Sequence, residues 1–246
     1  MTSESKLRRT LVLTDNPRIA DAIERIITVN DLEGTIKVAK SPNSHSALLA
    51  RFELPVVSVK NDLDSILKRY ELVISAHCKQ IFPEGLHDAV ECINIHPGLN
   101  PETRGWFPQV WAILKELPLG FTVHRIDRRL DHGDIIFRRE LPLYAWDTSG
   151  SAYARVLDAE IGWLGENLLQ ILRGNYDAFP MSGDGNMFRK RDFDEILRLD
   201  LNRFGQFRDF LSLLRSTTFP GYKNAWFLDE LSGKRIYVTV ALEPEE

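Results

Sequence analysis

The sequence predicts an α/β fold, with a mostly parallel sheet carrying helices on both faces and a smaller C-terminal α+β extension. Three observations predict it. Short apolar runs alternate with stretches of helical spacing through most of the chain, the pattern left by parallel strands joined by crossover helices. One such run, Cys92 to His96, stops abruptly at Pro97-Gly98. From about Asp177 the alternation ceases and Gly, Ser, Asn and Arg take over. At 246 residues the chain can build one full domain and an appendage but not two equal domains, which suggests a division into residues 1–180 and 181–246.

The elements follow in order. Thr10 to Thr14 (TLVLT) is a short apolar run of the kind that forms a strand buried on both faces. Asn16 can cap a helix that Pro17 begins, with Ile19, Ile23, Ile26 and Ile27 at helical spacing. Strands are expected at Ile36 to Ala39, Val56 to Val59 and Leu72 to Ser75, with a helix near Leu63 to Arg69. After the strand Cys92 to His96 a helix is expected from Phe107 to Lys115. Strands then follow at Gly120 to Ile126 and Asp134 to Arg138, separated by the polar turn DRRLDHG. A long helix starts at Ser149 or Ser151 and carries one apolar stripe through Ala152, Val156, Leu157, Ile161, Leu164, Leu168, Ile171 and Leu172 to a stop at Gly174. A helix around Phe204 to Leu214 and a hairpin pairing RIYVTVAL with Ala225-Trp226-Phe227 complete the reading. The sheet is therefore Rossmann-like, and in such sheets ligands gather at the carboxyl ends of the strands.

Composition narrows the function. With 43% hydrophobic and 27% charged residues the chain is neither disordered nor fibrous. A net charge of −4 and the lack of a long Lys/Arg run argue against a nucleic-acid partner. Cys78 and Cys92 are too few for a disulfide scaffold, MTSESKLRRT lacks the apolar stretch of a secretion signal, and no run of about 18 apolar residues occurs. A cytoplasmic protein without a membrane partner is expected. His77, Cys78, Cys92, His96, His124 and His132 show neither CxxC nor HExxH spacing, so no metal is expected.

Asn94 and His96 lie two apart on a strand and so share a face, which brings an amide and an imidazole to one strand end. Asp131, on the turn between two later strands, can reach the imidazole. A satisfied polar turn is the competing reading of the same residues. The combination of Asn94-x-His96-Pro97 with Leu130-Asp131-x-Gly133 resembles the active-site signature of the formyltransferases that use 10-formyltetrahydrofolate. More narrowly, SAHCKQIFP, HPGLNPETRGWFPQVW and LDHGDII resemble the bacterial sugar-nucleotide N-formyltransferases, along essentially the whole chain. One departure is NPETRGW, where that family often carries NPYNRGW.

The resemblance implies formyl transfer from 10-formyltetrahydrofolate to the amine of a dTDP-linked amino-dideoxy sugar. The expected acceptor is dTDP-4-amino-4,6-dideoxyglucose, with a 3-amino isomer the alternative, and the product would feed cell-surface glycan (O-antigen) synthesis. It implies His96 as general base, Asp131 orienting it and Asn94 donating to the oxyanion. The backbone around Gln80, Ile81 and Phe82 would meet the pterin of the folate, and Asp131 would also contact the folate. His77, Lys79, Arg104, Trp106, Tyr222, Lys223 and Asn224 would contact the nucleotide sugar, and a homodimer is expected. Trp111 reads as core and His124 as a packed histidine. Hydrolysis of 10-formyltetrahydrofolate and a non-catalytic sugar-nucleotide module are the rival functions.

Overall fold

The computed structural model describes residues 6–44 and 53–245. Strands β1 (Thr10–Leu13), β2 (Ile36–Ala39), β3 (Leu72–Ala76) and β4 (Glu91–His96) pair in parallel, β1 lying between β2 and β3. Two later strands, β6 (Leu119–Arg125) and β7 (Ile135–Leu141), complete a six-stranded sheet of order β2-β1-β3-β4-β6-β7, in which β6 runs antiparallel to β4. Every residue of β1 and β3 is buried, as expected of strands covered on both faces.

Local chemistry sets the helix boundaries. In α1 (Pro17–Val29) the Asn16 side chain accepts from the backbone N–H groups of Arg18 and Ile19, and Ile19, Ala20, Ala22, Ile23 and Ile27 are buried. Helix α2 (Leu63–Arg69) leads into β3, the single-turn α3 (Glu84–His87) into β4, and α4 (Pro108–Leu114) into β6. The long α5 (Ser149–Arg173) buries Ala152, Val156, Leu157, Leu164, Leu168, Ile171 and Leu172 and gives way to Gly174 at φ +69°.

The chain forms two compact units. One holds Met1–His96, Thr122–Arg138 and Leu157–Met181; the other holds Pro97–Phe121, Arg139–Val156 and Ser182–Glu246. In the second, β5 (Arg104–Gly105) pairs in parallel with β8 (Met187–Phe188), α6 (Lys190–Ile196) and α7 (Phe207–Thr217) follow, and β9 (Trp226–Leu228) and β10 (Arg235–Tyr237) make an antiparallel hairpin.

Three expectations need correction. Val56 to Val59 is not a strand: Val56 makes a lone bridge to Lys40, Pro55 brings no N–H donor, and Ser58 N already binds Asp62 Oδ2 in the turn before α2. The final helix starts at Phe207 rather than Phe204, beyond Gly205. Of RIYVTVAL only Arg235–Tyr237 is strand, although Val238 N still reaches Ala225 O. No helix of the described residues is long and apolar enough to cross a membrane.

Candidate active site

The end of β4 carries the polar group. Cross-strand register sets Asn94 opposite His124 of β6, and Asn94 Nδ2 lies 3.3 Å from His124 Nε2. The same Nδ2 donates to Asp131 Oδ1 over 3.1 Å. His96 is 5% exposed, with Nδ1 3.7 Å from Asp131 Oδ1. Asp131 reaches this position through the β6–β7 turn, where it holds φ +45° and Gly133 φ +110°. A side chain at Gly133 would put its Cβ 2.2 Å from Arg125 O, so the turn requires glycine there.

The structure thus brings Asn94, His96 and Asp131 together, as expected, and adds His124. Complete burial lowers the His124 pKa, against the opposing charge of Asp131, and favours a neutral ring. Its Nδ1 faces Arg125 O at 2.7 Å and must carry the proton, which leaves Nε2 to accept from Asn94. Both N–H bonds of Asn94 are therefore directed, one at Asp131 and one at His124. The antiparallel pairing of β4 with β6 is the signal that would have found His124; periodicity alone does not give it.

Asp15, beyond β1, organises the loop after β3. Its carboxylate accepts from Ser41 N, Ser41 Oγ and Lys79 N at 3.0, 2.7 and 3.0 Å. Gln80 accepts from Val59 N and donates to Val57 O, each at 2.9 Å, so its side chain shapes the loop. Ile81 is 82% exposed, whereas Phe82 packs into the core. Lys79 is exposed, and the His77 ring faces Glu160 of α5. Cys78 has its thiol pKa raised by burial, which suits a filler rather than a nucleophile.

In the other unit, the residues expected to meet the nucleotide sugar have divergent placements. Arg104 is buried and donates from Nη1 to Asp184 O over 2.7 Å, while its own N–H bonds Asn186 O. Its guanidinium thus braces the β5–β8 pairing from within. Trp106 remains partly exposed, whereas Trp111 is buried, stacked on Phe188 at 4.4 Å. Tyr222 is exposed and meets Phe219 edge-on, and Lys223 lies over the Tyr237 ring. Asn224 donates to Thr217 O at 2.9 Å and so closes its own turn. No cluster of three or more His, Cys, Asp or Glu suited to a metal occurs among the described residues.

Residues 40–168 match the family described as formyl transferase, and residues 192–244 match the N-formyltransferase dimerization C-terminal domain. The chain is 42% identical to a dTDP-4-amino-4,6-dideoxyglucose formyltransferase of Mycobacterium tuberculosis, over 96% of this chain and 97% of that protein. Among solved structures it is similar to a sugar N-formyltransferase from Shewanella, with TM-score 0.92 and 36% identity over 96% of this chain and 98% of that one. It also resembles a 4-N formyltransferase from Francisella tularensis, with TM-score 0.88 and 33% identity over 97% and 99% of the two chains.

Proposed function

The chain belongs to the formyl transferase family, and from that membership we propose that it transfers a formyl group from 10-formyltetrahydrofolate to the amine of dTDP-4-amino-4,6-dideoxyglucose. The observation that carries the reading is the convergence of Asn94, His96 and Asp131 at one strand end. The folate supplies an activated formyl carbon. His96 takes the proton from the nitrogen as it bonds the formyl carbon, and Asp131, 3.7 Å away and itself largely shielded from water, stabilises the resulting imidazolium; as the tetrahedral intermediate collapses, the bond from the formyl carbon to N10 breaks and the proton passes from His96 to that departing nitrogen. Asn94 exchanges its bond to His124 for one to the developing oxyanion. His124, neutral and buried, keeps the amide aimed until then.

The loop from Cys78 to Phe82, tied down by Asp15 and Gln80, fits a pterin: its anchors are internal, leaving backbone groups and the apolar Ile81 to face a ring. Lys79, Trp106, Tyr222 and Lys223 are the exposed candidates for the nucleotide sugar. Identity to the mycobacterial relative favours the 4-amino over the 3-amino sugar, and the product suits cell-surface glycan assembly. We place the enzyme in the cytoplasm, as its free thiols suggest. Residues 1–180 form its catalytic part and 181–246 the appended part. The appended part makes a homodimer, which the match of residues 192–244 and the exposure of Phe204 (98%) and Phe207 (81%) support. Purified protein given 10-formyltetrahydrofolate and a panel of 3-amino and 4-amino dTDP-sugars tests the reading: the 4-amino-glucose compound is formylated fastest, and an equal or greater rate on a 3-amino sugar contradicts the assignment.

A further inference from the structure

The first unit also buries a carboxylate that the mechanism does not use. The Glu160 side chain is fully inaccessible on α5, with Oε2 2.7 Å from His77 Nε2 and Oε1 without a hydrogen-bond partner among the described residues. Removing a carboxylate from water is costly, and one hydrogen bond compensates it only in part. A buried group held on such terms calls for a reason.

The reason lies in the backbone of its partner. His77 is the residue after β3, and since Ala76 pairs with Ile95, it comes level with His96 at the same sheet end. It adopts φ +59°, a left-handed conformation that residues other than glycine avoid. There the chain leaves the sheet and turns into the loop of Cys78 to Phe82. Asp15 and Gln80 hold that loop from Lys79 onward. At the reversal itself Asp15 N donates to His77 O over 3.4 Å, and the His77 ring is set between Glu160 and the Asn16 amide, whose Nδ2 lies 3.5 Å from His77 Nδ1. With Asn16 Nδ2 facing Nδ1, Nε2–H donates to Glu160.

We propose that Glu160 is a positioning residue for folate binding: through His77 it holds the left-handed turn that aims the Cys78–Phe82 loop. The inference rests on the reading that this loop receives the folate. It also reassigns His77 from sugar contact to loop anchor.

Releasing the ring lets His77 leave the left-handed region, and the folate affinity falls in proportion to the population that remains. The left-handed penalty of an ordinary residue corresponds to a population change of about five- to thirty-fold. Glu160→Ala should therefore raise KM for 10-formyltetrahydrofolate by about that factor, with kcat at saturating folate and KM for the amino sugar near wild type. Adding His77→Gly to Glu160→Ala should restore the folate KM, because glycine takes the turn without an anchor. This double variant carries the test even if Glu160→Ala alone folds poorly. An unchanged folate KM in Glu160→Ala, or a double variant with a folate KM still raised or a raised sugar KM, overturns the inference. Ile81→Ala probes the underlying reading separately, with an expected rise of about five-fold or more in folate KM from lost apolar contact. No change there overturns the folate reading and this inference with it. A rise there beside a normal Glu160→Ala removes the Glu160 role alone.

Discussion

Replacing Asp131 by Asn removes one charge and little else. The new amide keeps an oxygen to accept from Asn94 Nδ2, which now bonds Asp131 Oδ1 at 3.1 Å, and the left-handed backbone at this position suits Asn as well as Asp. What disappears is the attraction between the carboxylate and an imidazolium 3.7 Å away. The two side chains are 12% and 6% exposed, so solvent screens the pair weakly. At an effective dielectric constant of about 20 such a pair is worth about 4 kcal/mol. If that stabilisation is realised only when His96 has taken its proton, turnover should fall by about a thousand-fold with little change in either KM. Single-turnover formylation of the amino sugar at saturating folate reads the effect directly. A loss smaller than about ten-fold would refute the reasoning, since His96 would then work without its counter-charge.

Further predictions test other levels of the structure. Gly185 holds φ +54°, and a Cβ there would lie 1.8 Å from Pro101 O, so Gly185→Ala should destabilise the protein by about 1–3 kcal/mol, read as a lower Tm. Burial pushes the Glu91 pKa up, but hydrogen bonds from Arg8, Tyr176 and Arg125 outweigh it and hold the group below its ordinary value. A depressed carboxyl pKa gives stability that is present above the unfolded value, about 4.5, and lost as pH falls through the folded value. Urea unfolding below about pH 4.5 should therefore show wild type losing stability more steeply than Glu91→Gln. Tyr222→Ala should raise KM for the nucleotide sugar about five- to a hundred-fold with kcat little changed, because stacking remote from the amine serves ground and transition states alike; equal KM values would make Tyr222 structural.

Much of the fold is legible in the sequence because its signals are local. The buried runs of β1 and β3, the Asn16-Pro17 cap of α1 and the stripe of α5 each follow from residues a few positions apart. So does the pairing of Asn94 and His96 on one strand face. What stays hidden depends on contacts between distant segments. The two-residue strands β5 and β8 have no periodicity to detect, and only their pairing explains why Arg104, a surface cation by type, is buried against Asp184 O. His124 joins the site through antiparallel register with β4, and Glu160 meets His77 across 83 positions of sequence. Val56 to Val59 misled for the opposite reason: its apolar residues suit a strand, but Pro55 and the Ser58–Asp62 turn leave it no ladder.

The proposed chemistry turns on His96 taking the proton. It is tested most directly by single-turnover formylation of dTDP-4-amino-4,6-dideoxyglucose by His96→Asn under saturating 10-formyltetrahydrofolate, with folate binding measured on the same preparation. Asn cannot accept that proton at any accessible pH, and general-base catalysis is worth about a hundred- to ten-thousand-fold. The rate should fall by at least that range with folate affinity retained; a rate near wild type would mean that another group takes the proton and that the end of β4 is not the catalytic centre.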